Sequence, residues 1–314
     1  MMANSAWWAL ALSEAVNNEK PLAVVCNGEE LVLFRDRQGQ AFALEDRCPH
    51  RRVPLSLGCV VESGIQCGYH GWTFDGASGA CTAIPNLHAN ERVPARYAAR
   101  AYPVAERNGF VHVWLGEHEP NESVSAATYE PEGREYTGAA TVSILHEEYL
   151  AAMLDGPHSL ISFDAVKMTD FFLGDPCLKD NHLVLDRGAV WSTRMLPPQF
   201  VVDYPLIVRT AVPVSGGDIR VDLLTEEETP LCTVFIASGA NRRGTTSLCW
   251  RGFLHRSEGG VASLRWRVAR RAQRPPFRVH SHVDGEALAA LLVAPSRDLD
   301  RLRDQSLIPV RAAV

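Results

Sequence analysis

The sequence predicts an α+β protein of two domains, each built around an antiparallel β-sheet. Residues 21–115 contain short β-prone runs separated by turn signals. Residues 116–135 are polar, acidic and lack an apolar period, as is typical of an interdomain linker. One helical pattern, at residues 147–163, then precedes a series of further strand-like runs. We therefore expect a first domain at residues 1–120 and a second at residues 121–314.

The N-terminal segment is predicted to begin with a helix and to continue as strands. Residues 6–18 carry a dense apolar run that ends at an Asn pair, and we interpret them as a short amphipathic helix. Three β-prone runs follow, at residues 22–26, 31–35 and 41–45. The turn signals between them, Asn27-Gly28 and residues 36–39, are those of β-hairpins. Along residues 109–115, apolar side chains alternate with others, which is the pattern of a half-buried strand.

The second domain is predicted to be mostly antiparallel sheet. A helix over residues 149–154 should end at Gly156-Pro157, because proline cannot continue a helix. Strand-like runs follow at residues 183–185, 189–193, 206–213, 219–225, 232–238, 245–255 and 262–268. Residues 284–293 are interpreted as a closing helix that lies back across that sheet.

Charge and composition exclude several classes of function. The formal charge of −6 argues against nucleic acid or an anionic membrane as a partner, since both require a basic face. No apolar run approaches membrane-spanning length, and the N-terminus lacks the basic region of a signal peptide. We therefore expect a cytoplasmic globular protein with no membrane contact. Outside the motif described next, most of the cysteines are interpreted as small buried apolar residues.

Two Cys-His pairs lie within residues 48–72, and they form the clearest motif of the chain. Cys48-Pro-His50 and Cys67-Gly-Tyr-His70 are separated by sixteen residues. In a Rieske [2Fe–2S] centre two thiolates hold one iron and two imidazoles hold the other, which raises the potential above that of an all-cysteine cluster. Each segment supplies one ligand of each kind. The motif therefore predicts a [2Fe–2S] cluster held by these four side chains.

The four Cys and His side chains could instead form a zinc site, or the two cysteines could form a disulfide. A zinc finger normally carries a Cys pair followed by a His pair, or four Cys, and the order here is different. A Cys48–Cys67 disulfide would require an oxidising compartment, which nothing in the sequence indicates. The neighbouring Tyr69 and Trp72 are expected to pack over the cluster and exclude water from it.

These residues carry a resemblance to a known family. CPHRRVPLSLGCV at residues 48–60 and CGYHGWTFD at residues 67–75 resemble the α-subunits of Rieske non-heme iron oxygenases, in particular their vanillate demethylase-like, N- and O-dealkylating branch. The likeness covers nearly the whole chain and is most specific in residues 48–72. It implies that the second domain is a helix-grip-like (START-like) antiparallel sheet with helices.

The resemblance also implies a second metal, a mononuclear iron held by two His and one carboxylate. Asp155-Gly-Pro-His158 matches the Asp-x-x-His start of the family's signature. Phe163 stands where the second His is expected, and Ala152 stands where an Asn is usual. Since Phe has no lone pair to donate, an iron at His158 would keep only two protein ligands and would bind weakly.

The remaining iron ligand and its substitutes would come from elsewhere in the chain. Asp284 is the expected carboxylate, and Glu286 is its neighbouring alternative. His282 shares a strand face with Asp284 and could replace the missing ligand. His146, twelve residues before His158, is another candidate. For each His, a partly exposed or hydrogen-bonded side chain without metal is the competing interpretation.

The resemblance implies two alternative functions. The first is an oxygenase component that takes electrons from a flavin and iron–sulfur NAD(P)H reductase for O₂-dependent hydroxylation or demethylation of a small substrate. The second is a non-catalytic electron-transfer or structural subunit of a hetero-oligomer, with the active iron on a partner chain. The resemblance implies a homotrimer as the alternative to the hetero-oligomer. In the family the Asp equivalent to Asp155 relays electrons between subunits, so both functions would use it.

The substrate is expected to be aromatic or otherwise apolar. Seven side chains of the second domain are candidates for an apolar pocket, although such residues in a β-rich domain usually belong to the core. They are Phe163, Phe171, Phe172, Leu173, Trp191, Phe200 and Trp250.

Overall fold

The computed structural model describes residues 5–87, 91–120, 134–191, 206–242, 244–255 and 275–283, with Asp170 and Phe171 described for their backbone only. The chain divides into two compact units, Met1–Tyr129 with Ala237–Arg243, and Glu130–Ile236 with Gly244–Val314. The boundary predicted between residues 120 and 121 stays a prediction. Within the described ranges, no helix combines the length and apolar character needed to cross a membrane.

The N-terminal segment is a strand, so the helix predicted over residues 6–18 is wrong. β1 (Ala6–Leu12) pairs antiparallel with β11 (Phe110–Leu115), which also pairs with β10 (Val104–Arg107). Trp7 lies opposite Trp114, and their ring centroids are 5.7 Å apart. A short 3₁₀ turn, Ser13–Ala15, is all the helix that forms. A dense apolar run fits a buried strand as well as a helix, and here the distant partner strand decides.

The predicted hairpins of the first unit are confirmed. β2 (Leu22–Cys26), β3 (Glu29–Arg35), β4 (Ala41–Glu45) and β9 (Ala101–Tyr102) form one antiparallel sheet in that order. Asn27 and Gly28 both have positive φ, 51° and 85°, as a tight hairpin turn requires. Leu31, Leu33 and Ala43 are buried in the core of this unit.

A second small sheet of the first unit contains the second Cys-His pair in one of its loops. Its four strands are β5 (Cys59–Val61), β6 (Gly64–Gln66), β7 (Thr73–Asp75) and β8 (Cys81–Ala83), paired antiparallel in that order. Phe34, Leu55, Ile65 and Phe74 are fully buried beneath it, with Cys48 and Cys67 in the same cluster. The loop with Cys48 and His50 and the loop with Cys67 and His70 are called the ligand loops below, after their predicted role. Both are anchored on this packed apolar core through their cysteines.

The second unit is dominated by one antiparallel sheet of eight strands. They are β12 (Glu135–Val142), β14 (Val166–Phe172), β15 (Cys177–Lys179), β16 (His182–Trp191), β17 (Leu206–Pro213), β18 (Asp218–Thr225), β19 (Pro230–Ala240) and β20 (Thr246–Leu254). Their order is β12-β20-β19-β18-β17-β16-β14, and β15 also pairs with β16. The two runs predicted at residues 183–185 and 189–193 are therefore one strand as far as Trp191.

A single α-helix lies among the described residues of this unit. α1 (His146–Asp155) ends at Gly156, as the Gly-Pro pair predicts, and contributes Tyr149, Met153 and Leu154 to the core. β13 (Ile161–Phe163) and β21 (Phe277–Val279) form a separate two-stranded sheet. The strand predicted at residues 262–268 and the helix at residues 284–293 lie outside the described residues.

Candidate functional site

The two ligand loops are closed by their own backbone hydrogen bonds. In the first, the Cys48 N–H donates to Val53 O at 2.9 Å and the Arg52 N–H donates to Cys48 O at 2.8 Å. In the second, which joins β6 to β7, the Cys67 N–H donates to Trp72 O at 2.8 Å and the Gly71 N–H donates to Cys67 O at 3.0 Å. Each cysteine therefore lies at the closing point of its turn.

Glycines let the two loops approach each other through their backbones. A Cβ atom at Gly58 would lie 2.0 Å from the carbonyl oxygen of Gln66, and one at Gly68 would lie 2.7 Å from that of Leu57. No other residue fits at such distances, because real Cβ atoms do not approach backbone this closely. The Cys48 and Cys67 loops are brought together in this way, as the sequence spacing predicts.

The four predicted donors converge as two pairs. Cys48 and Cys67 are 2% and 3% exposed and belong to the same buried cluster. Burial raises the pKa of the Cys48 thiol to about 11. At the more exposed end, the Nδ1 atoms of His50 and His70 face each other at 3.1 Å. Partial desolvation, followed by His70 and Arg51, lowers the pKa of His50, which favours the neutral imidazole that binds metals.

This arrangement fits a [2Fe–2S] cluster better than a zinc ion. Metal–imidazole bonds of about 2.0–2.1 Å place two nitrogens of one tetrahedral ion roughly 3.4 Å apart, close to the separation of the two Nδ1 atoms. Structural zinc needs four donors around one point. In the part of the chain that the structure describes, no three His, Cys, Asp or Glu side chains surround a single point. A pair of thiols and a separate pair of imidazoles are what the two irons of a Rieske cluster require.

Trp72, one of the two predicted aromatic neighbours, is buried beside His50. Its ring stacks on His50 with centroids 4.4 Å apart and planes 2° from parallel, and Tyr97 packs edge-on against it at 5.0 Å. Tyr69 contacts His70, with ring centroids 3.8 Å apart, but is 60% exposed. The expectation that Tyr69 excludes water from a cluster stays a prediction.

The Asp155 segment shows a different arrangement. Asp155 is the last residue of α1, and the 3₁₀ turn Pro157–Ser159 that follows places His158 at the surface. The Asp155 carbonyl oxygen accepts a hydrogen bond from Nη2 of Arg187, and Nη1 of Arg187 donates to Thr169 O at 3.1 Å. The buried Arg187 guanidinium also lies 4.3 Å from the Phe172 ring centroid.

The sequence interpretation missed Arg187. Along β16 the inward positions are otherwise apolar, Leu183, Leu185 and Ala189, and Arg187 occupies the same alternation. The sequence did offer one signal, an arginine at a position where the alternation of apolar side chains along the strand predicts a buried residue. Arginine is almost never buried without partners, so such a residue is expected to bind other groups. Its position indicates that it fixes the end of α1.

Phe163 belongs to the hydrophobic core. It is 3% exposed and lies opposite Phe277 in the β13–β21 pair. The neighbouring Ser162 hydroxyl lies 3.1 Å from Nε2 of His280, whose pKa is lowered by burial and then by Arg278. Phe163 and Phe277 are therefore both part of the apolar core, and the equivalence of position 163 with the family's second His stays a prediction.

The other candidate iron ligands are not brought together among the described residues. His146 is the first residue of α1, and His282 is exposed with its Nδ1 3.2 Å from the Ser281 hydroxyl. Asp284 and Glu286 lie outside the described residues. The predicted pocket residues also separate: Phe163, Trp191 and Trp250 belong to or pack against the core, Phe172 and Leu173 are exposed, and the Phe171 side chain and Phe200 lie outside the described residues.

Comparison with known proteins identifies the first unit. Residues 6–103 match the family described as Rieske [2Fe-2S] domain. The chain is 43% identical over 117 residues to a putative toluene-4-sulfonate monooxygenase system iron–sulfur subunit of Comamonas testosteroni, covering 37% of this chain and 32% of that protein. It is 42% identical over 113 residues to the oxygenase component of dicamba O-demethylase from Stenotrophomonas maltophilia, covering 36% and 32%. The matches span about a third of the curated relatives' length.

The solved structures extend the likeness to the whole fold. A crystal structure of dicamba monooxygenase bound to dicamba superposes with a TM-score of 0.62 at 22% identity, covering 96% of this chain and 98% of that one. The predicted fold class, a Rieske domain followed by an antiparallel sheet domain with few helices, is therefore confirmed. At this level of identity the likeness concerns the fold alone.

Proposed function

We propose that this chain is a Rieske-type oxygenase component that accepts electrons from an NAD(P)H-dependent reductase for O₂-dependent hydroxylation or demethylation of a small aromatic substrate. The observation that carries the proposal is the pair of facing imidazole nitrogens at 3.1 Å beside two buried thiols. The oxygenase relatives and the shared fold support the reaction class. The likeness to dicamba O-demethylase supports the O-dealkylating branch.

We assign Cys48 and Cys67 to one iron of the cluster and His50 and His70 to the other. When bound, the cluster supplies storage of one electron at a potential above that of an all-cysteine centre. The buried thiols would hold the cluster from the protein side, and the two imidazoles, which are more exposed, would hold it from the surface side. Trp72 fixes the plane of the His50 ring by stacking and keeps water from that face.

The described residues do not assemble a site for the mononuclear iron that the family resemblance implies. No group of three His, Cys, Asp or Glu donors forms among them. Phe163 offers no lone pair and is packed against apolar neighbours. We therefore assign no chemical step to His158 and Asp284, and the oxygen chemistry requires either a donor from outside the described ranges or the iron of another chain.

The core position of Phe163 favours a second candidate function. In that proposal the chain is an electron-transfer or structural subunit of a hetero-oligomeric oxygenase, and the substrate is oxidised at a partner chain's iron. Asp155, whose carbonyl is held by Arg187, would then lie at the subunit interface as the electron bridge. The eight free cysteines support a reducing compartment such as the cytoplasm for either function.

Metal analysis of the purified full chain separates the two functions. A cluster alone contributes two irons per chain, and an added mononuclear site raises the number to about three. Three irons, together with product formation when the chain is mixed with reductase, NADH, O₂ and an aryl methyl ether, would establish the oxygenase. Two irons without turnover would establish the electron-transfer subunit, and no iron would remove both.

A further inference from the structure

The first ligand loop is closed at its base by an aspartate and a serine. Asp46 lies two residues before Cys48, and Ser56 lies two residues before Gly58. The Ser56 N–H donates to Oδ1 of Asp46 at 2.7 Å, and the Ser56 hydroxyl donates to Oδ2 at 2.6 Å. Hydrogen bonds to an ionised acceptor are about twice as strong as those between neutral groups. These two residues are called the Asp46–Ser56 pair below.

The core of the first unit fixes both ends of this loop. Asp46 directly follows β4, and its backbone N–H donates to the carbonyl oxygen of Glu30 in β3 at 2.9 Å. At the other end, Leu55 is fully buried in the cluster of apolar side chains that also contains Cys48. The Asp46–Ser56 pair joins these two ends, so the loop leaves the core and returns to it at a fixed separation.

The returning end of the loop makes the close contacts with the second ligand loop. The carbonyl oxygen of Leu57 would lie 2.7 Å from a Cβ atom at Gly68. A Cβ atom at Gly58 would lie 2.0 Å from the carbonyl oxygen of Gln66. Because close-packed groups transmit a displacement, a shift of Ser56 and its two successors would move the second loop or separate the two loops.

We propose that Asp46 is a positioning residue for the cluster, because by holding Ser56 it keeps the two ligand loops at the separation that the ligands require. That separation places the Nδ1 atoms of His50 and His70 at 3.1 Å. The inference rests on the proposed function, since it takes these imidazoles as iron ligands. Asp46 acts through the loop and not as a ligand. The property that it governs is retention of the cluster, because a loop that opens at its base exposes the irons to solvent.

The proposal assigns this role to the two hydrogen bonds and not to the negative charge of Asp46. An asparagine can accept from the Ser56 N–H through its carbonyl oxygen and donate to the hydroxyl oxygen through its amide. Asp46→Asn therefore keeps both hydrogen bonds and removes the charge. Asp46→Ala removes both hydrogen bonds, and Ser56→Ala removes only the one that the hydroxyl donates. The three variants separate the effect of geometry from that of charge.

A second aspartate–serine pair of the same unit provides the matched control. Ser78 donates to Oδ1 of Asp75 from its N–H at 2.8 Å and from its hydroxyl at 2.6 Å. Asp75 is the last residue of β7, whereas the second ligand loop joins β7 at its first residue, Thr73. Asp75→Ala therefore removes the same two kinds of hydrogen bond from the small sheet, at the end of β7 that is remote from the ligand loop.

The rate at which the purified full chain loses its [2Fe–2S] absorption in excess chelator tests the proposal, at a temperature where circular dichroism shows each variant folded. We expect Asp46→Ala to lose the cluster about 10- to 100-fold faster than the wild type, as the loss of hydrogen bonds to a charged group predicts. Ser56→Ala should fall between the two, and it serves as the test if Asp46→Ala does not fold. Asp46→Asn and Asp75→Ala should stay within about twofold of the wild type.

The EPR spectrum of the remaining cluster adds a measurement that general stability does not change. Its g values should shift in Ser56→Ala and stay unchanged in Asp75→Ala. Equal rates of cluster loss in Ser56→Ala and Asp75→Ala, with unchanged g values, would overturn the proposal alone, because the Asp46–Ser56 pair would then contribute only to stability. Loss from Asp46→Asn as fast as from Asp46→Ala would also overturn it, since the charge would then be what matters. Absence of any [2Fe–2S] signal in the wild type would instead overturn the proposed function.

Discussion

The loops around residues 48–72 and the segment around Asp155 and His158 were both predicted to hold metal, and they differ in how their donors are placed. In the loops, two nitrogens meet at 3.1 Å beside two buried thiols. Around His158 no third donor converges among the described residues. The loops are two local turns whose close packing is fixed by glycines, whereas the second site needs residues from distant elements. The spacing of residues in the sequence predicts how donors are placed within a local turn. It does not predict how donors on distant elements are placed relative to each other.

The largest effect is expected from removing one thiol. Cys67→Ser should abolish the [2Fe–2S] absorption and EPR signals of the purified full chain, because one iron would keep a single protein thiolate. The matched control is Cys59→Ser, an exposed cysteine of the same small sheet. It should retain about two irons per chain. A Cys67→Ser protein with a normal spectrum would show that the ligand assignment is wrong.

Variants at Phe163 test the account of the second region, the segment around Asp155 and His158. Phe163→Ala should lower the free energy of unfolding by about 3–5 kcal/mol, because a buried ring is replaced by a cavity opposite Phe277. Urea denaturation measures the change, with the exposed Leu178→Ala as the control, for which less than about 0.5 kcal/mol is expected.

The variant Phe163→His sharpens this result. Because the side chain at position 163 is directed into the core, we expect the iron content to stay at about two per chain. A third iron in this variant would show that a partly formed iron site needs only the missing imidazole, which contradicts our account of the second region.

Arg187 is expected to give a smaller effect on stability. Arg187→Met removes the charged donor to the carbonyls of Asp155 and Thr169 and should lower the free energy of unfolding by about 1.5–3 kcal/mol. Arg187→Lys keeps the charge but cannot bridge both carbonyls, so an intermediate loss is expected. If urea midpoints of both variants equal that of the wild type, Arg187 does not fix the end of α1.

The smallest effect concerns Tyr149, in the core of the second unit. Its side chain is fully buried, and its hydroxyl has no hydrogen-bond partner among the described residues. Tyr149→Phe should therefore raise the free energy of unfolding by up to about 1 kcal/mol, since an unsatisfied polar group is removed. A loss of stability in thermal denaturation would show that a bound molecule or another segment satisfies the hydroxyl.

Local patterns predicted the hairpin strands well. The runs at residues 22–26, 41–45 and 206–213 match β2, β4 and β17, and the Asn27-Gly28 turn forms as expected. Turn chemistry and alternation act over a few residues, so the sequence displays them directly.

Features decided by distant residues were not predictable in this way. β1 is a strand because β11, about a hundred residues later, offers it a partner. Tyr69 and Trp72 are both aromatic neighbours of the predicted cluster ligands, but Tyr69 is exposed whereas Trp72 packs in the core with Tyr97. The hydrogen bonds of Arg187 join β16 to α1 and β14, which no spacing in the sequence indicates.

The central claim, that Cys48, His50, Cys67 and His70 hold a cluster with mixed ligands, is tested most directly by its reduction potential. An EPR-monitored redox titration of the purified full chain should give a midpoint between about −150 and +300 mV, the range that two imidazole ligands produce. A midpoint near −400 mV would indicate an all-cysteine cluster and contradict the assignment of His50 and His70. A chain without a [2Fe–2S] signal would contradict the claim entirely.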